Sequence, residues 1–232
     1  MKLEKVTNVR RSEARRRYDD ACAATHGMDI IGERWALPIM RELMLGPRRF
    51  GELRKSLPAL SANVLTQRLG DLEAAGIVRK SKLPPPAGVQ VYGLTEWGQQ
   101  AGPVFQALGR WAARSPLHDP TKPFSPVSLL LSLRTMIDVA RAGDTVVRLG
   151  FRFGDEDFHW TIDRGAIALG RGLSADPDIV FGGEPGGVAA LIYADVPIAA
   201  LEAAGTLTVE GDRGLAIRLK DFFPMPEKAA LT

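Results

Sequence analysis

At 232 residues, with 45% apolar and 25% charged side chains, the chain has the length for two globular domains of roughly 100 residues each. No run of about 18 apolar residues could span a bilayer, no apolar leader opens the chain, and the single Cys22 excludes an intrachain disulfide, so a cytoplasmic protein without membrane contact is expected. The net charge of +3 divides unevenly: residues 1 to 115 carry 19 Lys and Arg against 11 Asp and Glu, residues 116 to 232 carry 11 against 16, the pattern of a basic half that meets nucleic acid joined to an acidic half that does not.

Residues 1–20 are polar and arginine-rich (Arg10, Arg11, Arg15, Arg16, Arg17), either a solvated charge cluster or a basic arm that tracks phosphates. Met28, Ile31, Trp35, Ile39 and Leu43 recur at three- and four-residue spacing and predict one helix from Met28 to Leu45, kinked at Pro38 and stopped by Gly46-Pro47. A short helix from Phe50 to Leu57 ends at Pro58. Ser61 is a natural N-cap for a third helix whose Leu65, Leu69 and Leu72 share one face, and Gly76 stops it. Opposite that stripe lie Asn63, Thr66, Gln67 and Gly70, a polar, uncharged face whose amides and hydroxyl suit the base edges of a DNA major groove. Asn63, Thr66 and Gln67 are expected to read bases, and Ser61, Arg68, Arg79, Lys80 and Lys82 to engage phosphate; Arg68 lies beside the leucine stripe, where an acidic neighbour could claim it instead. Ile77 to Leu83 and Val89 to Leu94 form a basic hairpin with a Pro84-Pro85-Pro86 tip. A closing helix from Glu96 to Arg114 presents Phe105, Leu108 and Trp111, which are candidates for a homodimer interface or for packing within the domain.

Ser115 to Pro123 is proline-rich, and the charge changes sign across it. The expected division is therefore an arm at 1–20, a winged helix-turn-helix domain at 21–115, mainly helical, a linker at 116–124, an α+β domain at 125–226 and a tail at 227–232. The second domain is expected to hold a helix from Val127 to Ala142 and strands at Thr145–Phe153, Asp157–Asp163, Ala166–Gly170 and Asp178–Phe181. Helices at Gly186–Tyr193 and Pro197–Ala204, a strand at Leu207–Gly211 and a helix at Leu215–Phe223 complete a mainly antiparallel layout.

From Cys22 to Arg114 the sequence resembles the HxlR family of winged-helix regulators, through IIGERWALPIMREL from Ile30, RRFGELRKSLPALSANVLTQRLGDLEAAGIVRK from Arg48 and YGLTEWGQQ from Tyr92. Pro38 departs from the aliphatic residue expected there. The resemblance implies a homodimeric regulator of double-stranded DNA whose third helix enters the major groove. It also aligns Cys22 with a thiol that senses oxidants or electrophiles in some relatives, against the alternative of a buried, inert cysteine. The second half is similar to a sterol carrier protein type 2 domain, through LEAAGTLTVEGDRGLAIRLKDFF from Leu201 and ADPDIVFGG from Ala175. That resemblance implies an internal apolar space for a hydrophobic effector, lined by candidates Leu130, Leu133, Ile137, Phe151, Phe153, Trp160, Ile162, Phe181, Leu191, Ile192 and Leu219. The alternative is that these residues fill a plain core and the domain serves as a dimer platform.

No nucleophile elbow, phosphate loop or His-Glu-x-x-His metal site occurs, and one Cys with three His cannot build a Cys/His zinc site in one chain. The glycines from Gly182 to Gly187 lack the lysine of a phosphate loop and read as turn chemistry, and Asp155-Glu156-Asp157 reads as a hairpin turn. The expected function is a sequence-specific transcription regulator, a repressor, with no cofactor and no catalysis. The alternative is a lipid-binding or carrier protein whose helical half is a protein-protein module.

Overall fold

The structure, a computed structural model, describes residues 18–230; the arginines from Arg10 to Arg17 lie outside the described residues. The first predicted helix is two helices, α1 (Ala23–Ile31) and α2 (Ala36–Leu43), separated by a break in which Trp35 takes a left-handed φ of 81°. The break removes the expected kink: Pro38 falls in the first turn of α2, where its missing N–H had no intrahelical acceptor to serve. Helix α3 (Phe50–Ser56) leads to α4 (Ala62–Ala74), capped by Ser61 Oγ accepting from Val64 N at 3.3 Å. Leu65, Leu69 and Leu72 of α4 close a core with Ile39, Met40, Leu43 and Leu53. Strands β1 (Val78–Lys82) and β2 (Gln90–Leu94) pair antiparallel as the hairpin. The closing helix is also two pieces, α5 (Glu96–Gln99) and α6 (Gly102–Ala113), because Pro103 has no N–H to continue a helix and its fixed φ suits a first turn.

In the second half α7 (Pro126–Met136) stops where Ile137 turns extended, and Asp138 caps the short α8 (Val139–Ala142), in place of one predicted helix. Strands β3 (Val146–Phe153), β4 (Glu156–Asp163), β5 (Ala166–Arg171), β6 (Ile179–Gly183) and β7 (Leu207–Gly211) form one sheet in the order β5-β4-β3-β6-β7. Only the β3–β6 pair is parallel. Alternation along β3 and β4 turns Val147, Leu149, Phe151, Phe153, Phe158, Trp160 and Ile162 inward. They pack with residues of α7, α9 (Pro185–Ala194), α10 (Ile198–Ala203), α11 (Arg213–Arg218) and the 3₁₀ turn Leu219–Phe222. Among the described residues no helix is long and apolar enough to cross a membrane.

The two cores are separate clusters, yet the halves touch along several contacts. Ser125 Oγ donates to the buried carboxylate of Glu42 on α2 at 2.6 Å, and Arg110 on α6 reaches the Thr135 carbonyl of α7. The hairpin tip between β3 and β4 meets the winged half through Lys55–Asp155 at 2.6 Å and Arg48–Glu156.

Candidate DNA-binding surface

The local sequence around α4 decides which side chains can meet a ligand. Its leucines face inward, and the rest of the 3.6-residue turn leaves Asn63, Thr66, Gln67 and Gly70 exposed on the opposite side. Gly70 has open space where a Cβ would stand, so this face stays shallow there. Thr66 Oγ1 donates to the Ala62 carbonyl at 3.0 Å, which fixes the hydroxyl and leaves its lone pairs outward. Ser61 is exposed as well as capping.

Arg68 belongs to another category. Its side chain is only 16% exposed and pairs with Asp71 on the same helix at 2.7 Å and with Glu33 in the break before α2 at 3.1 Å, the kind of acidic neighbour that stands as the alternative to a phosphate contact. On the hairpin, the register sets Lys80 opposite Tyr92 and Lys82 opposite Gln90, so these two lysines share one face while Arg79 points to the other. Arg79 and Lys82 are exposed. Lys80 is exposed too, but it pairs with Glu73 at 2.7 Å and lies 5.9 Å from the Tyr92 ring centroid. The hydrogen bond to Glu73 holds its ammonium pKa above the usual lysine range.

The wing is braced from below. Arg48 N donates to the Tyr92 carbonyl and Tyr92 N to the Arg48 carbonyl, both at 2.8 Å, and Pro47 lies against Gly93, where an added Cβ would come to 3.4 Å. The Arg48 side chain turns to the second domain, where Glu156 Oε1 accepts from both Arg48 Nη1 and Arg171 Nη1. Arg171 loses some of its hold on the proton through burial and through Arg48 beside it. Sequence reading missed this cluster and treated Asp155 and Glu156 as turn residues. Helix α6 presents Trp111 at 72%, Val104 at 49% and Leu108 at 40% exposure, whereas Phe105 is half-buried and packs against the winged core.

Cys22 stands exposed at the start of α1 and is not the buried thiol of the inert alternative. The Thr25 and Ala24 N–H groups beside its sulfur lower its pKa, although no cap hydrogen bond closes. All eleven residues named as pocket lining are buried members of one core. Their rings meet each other, Phe151–Phe181 at 5.6 Å and Phe151–Phe153 at 5.9 Å between centroids. A cavity of about 490 Å³ lies at the edge of that core, between Arg110, Met136 to Ala140 and Pro224 to Pro226; Ile137 is the one pocket candidate that lines it.

Residues 30–118 match the family model described as HxlR-like helix-turn-helix. An uncharacterized HTH-type transcriptional regulator, YvaP of Bacillus subtilis (strain 168), is 35% identical over 37% of this chain and 79% of its own length. The HTH-type transcriptional regulator YodB of the same strain is 39% identical over 36% of this chain and 74% of its own. The solved reduced form of YodB from B. subtilis overlays 42% of this chain and 98% of that one at 34% identity, with a TM-score of 0.39. The sequence matches lie in the half that carries α4 and the hairpin, and the chain belongs to the HxlR-like helix-turn-helix family of transcriptional regulators.

Proposed function

We propose that the chain is a sequence-specific repressor that binds double-stranded DNA as a homodimer, with Asn63, Thr66 and Gln67 reading bases and Ser61, Arg79, Lys80 and Lys82 on phosphates. The observation that carries this reading is the exposed, uncharged amide and hydroxyl face of α4, set beside a basic hairpin. Repression requires only occupancy of a promoter, whereas activation requires a further surface for polymerase. A dimer doubles the few bases one helix can reach, and Trp111, Leu108 and Val104 give α6 an uncovered apolar face for it. No catalytic step is part of this reading.

The second domain is read as sterol-carrier-like and regulatory; what supports this is the packing of helices against a five-stranded, mainly antiparallel sheet around one apolar core. A hydrophobic effector in its interior would need an apolar space among the residues that the resemblance names. Against it stands the mutual packing of the candidate lining residues, so the domain's influence is assigned first to its contacts with the winged half. The test is a mobility shift on DNA flanking the gene, over a range of salt. A specific complex whose log affinity falls with log salt, by about 0.9 per phosphate contacted, is expected. Equal affinity for random DNA at every salt concentration would overturn the reading.

A further inference from the structure

At the break between α7 and α8 the two halves and the end of the chain meet. Thr135 lies in the last turn of α7, where carbonyls lack an intrahelical donor, and Arg110 Nη2 of α6 donates to it. Just past the helix, Asp138 N donates to the Phe222 carbonyl at 2.7 Å and so brings the C-terminal segment alongside. The cavity of about 490 Å³ lies between these three pieces, a volume within the range of about 300–1,000 Å³ usual for small-molecule sites. Its walls are apolar, Met136, Ile137, Val139 and Ala140 from the break and Pro224 to Pro226 from the C-terminal segment. Two charged groups complete it, and they differ in what they can still do. The Asp138 carboxylate is committed, accepting from Ala140 N at 3.0 Å and Arg141 N at 3.2 Å and lying 3.4 Å from Arg141 Nε. Arg110 is exposed, and its Nε and Nη1 meet no acceptor among the described residues. Val139 and Met225 are 45% and 39% exposed, so a solute can reach the apolar wall as well as the guanidinium.

We propose that this cavity binds a small amphipathic monocarboxylate, its apolar body against Val139, Met225 and the prolines and its carboxylate on the free donors of Arg110. The site lies outside the packed core of the second domain and takes its reachable cation from the winged half. A neutral molecule of the same shape forgoes the charge-assisted bond to the guanidinium, and a small inorganic anion leaves the apolar walls in water. Occupancy bridges α6, the break and the C-terminal segment, which is itself fastened to the end of α6 through Lys228 and Ala229. The consequence for DNA rests on the regulator reading above. Arg110 is the neighbour of Trp111 on α6, so a ligand held by Arg110 acts on the helix assigned to the dimer, and through it on the spacing of the two α4 helices.

The test is calorimetric titration of the full chain with hexanoate, with hexanol as the contrast that lacks the charge and acetate as the contrast that lacks the tail. Hexanoate should bind saturably and about tenfold or more tighter than hexanol. Each buried methylene contributes about fourfold, so acetate should not saturate over the same concentrations. Arg110→Met should bring hexanoate down to the affinity of hexanol and leave hexanol itself unchanged. Met225→Asp sets a carboxylate against the apolar wall from an irregular, exposed position and should weaken hexanoate about tenfold or more, which keeps the proposal testable if Arg110→Met fails to fold. No saturable binding of hexanoate, hexanol or acetate binding as tightly, or unchanged hexanoate affinity in the variants would each overturn the site. Hexanoate binding without any change in operator affinity would overturn the coupling to the dimer; failure to bind operator at all would overturn the regulator reading and leave the site standing.

Discussion

Replacing Arg68 with alanine separates two roles that this residue could have in a DNA-binding domain. In the structure it pairs with Asp71 within α4 at 2.7 Å and joins α4 to the segment before α2 through Glu33 at 3.1 Å, with its own side chain 16% exposed. Both acids are partly exposed, at 31% and 44%, so each recovers water when the arginine is lost and neither leaves a stranded buried charge. Two such pairs at about 0.5 kcal/mol each, plus lost packing of the arginine stem, give a destabilisation of about 1–2 kcal/mol. In urea unfolding that is a midpoint lower by roughly 0.5–1 M, at an m-value of about 2 kcal/mol/M. The slope of log DNA affinity against log salt should not change, because no phosphate contact is removed. A slope reduced by about one with the urea midpoint unmoved would show Arg68 on a phosphate and refute the pairing argument.

Gln67→Ala should cost about 1–3 kcal/mol on the specific operator and little on random DNA, while Lys82→Ala weakens both alike; equal losses on both DNAs for Gln67→Ala would remove it from the readers. Trp111→Arg, placed on the most exposed aromatic of α6, should convert a dimer to a monomer in sedimentation at micromolar protein with the circular dichroism spectrum unchanged, and a wild-type monomer would dismiss the interface. At Cys22 the Thr25 and Ala24 N–H groups favour the thiolate, so the folded pKa lies below the unfolded one and the thiolate persists to lower pH in the folded chain. Iodoacetamide labelling should therefore reach half its maximal rate below the ordinary thiol value of about 8.5, and return to it in urea; a folded profile at or above that value would contradict the geometry.

The elements that sequence predicted well are those fixed by neighbours in the chain. Ser61 ahead of three leucines at helical spacing specifies α4, and Leu207 to Gly211 is strand-like on its own composition. The helix breaks were illegible for a definite reason. Apolar residues continue in phase on both sides of Gly32 to Trp35 and of Ile137 to Asp138, so periodicity runs through them; only backbone geometry, the left-handed Trp35 and the extended Ile137, records the interruption. The reading of Asn63, Thr66 and Gln67 as exposed needed only the helical wheel, whereas the fate of Arg68 turned on Glu33, which no local pattern places beside it. The Arg48–Glu156 contact joins positions 108 residues apart, one in a loop after a helix and one at a hairpin tip, and each taken locally is an ordinary surface charge.

How the second domain could act on DNA depends on where the two halves are tied. At one end the connection is double. The chain runs from α6 through Ser115, and the C-terminal segment returns to the same place, with Ala229 N on the Arg114 carbonyl at 2.7 Å and Lys228 Nζ on the carbonyls of Ala113 at 2.9 Å and Ser115 at 3.2 Å. At the other end the tie is made by side chains alone, Lys55–Asp155 and Arg48–Glu156–Arg171. Of these the lysine pair is open to water, 67% and 75% exposed, and contributes little. The halves also meet through Ser125–Glu42 and Arg110–Thr135, so the Arg48–Glu156 contact is one of several ties that a change in the angle between domains has to break. On the dimer reading, α6 also carries the partner-facing Trp111, so rotation about that end changes the separation of the two α4 helices across the two-fold axis. A coupling of about 1–3 kcal/mol is the usual scale for such devices, and the carboxylate oxygen that the buried Arg48 shares with the half-buried Arg171 is a charge-assisted contact whose breaking is of that order.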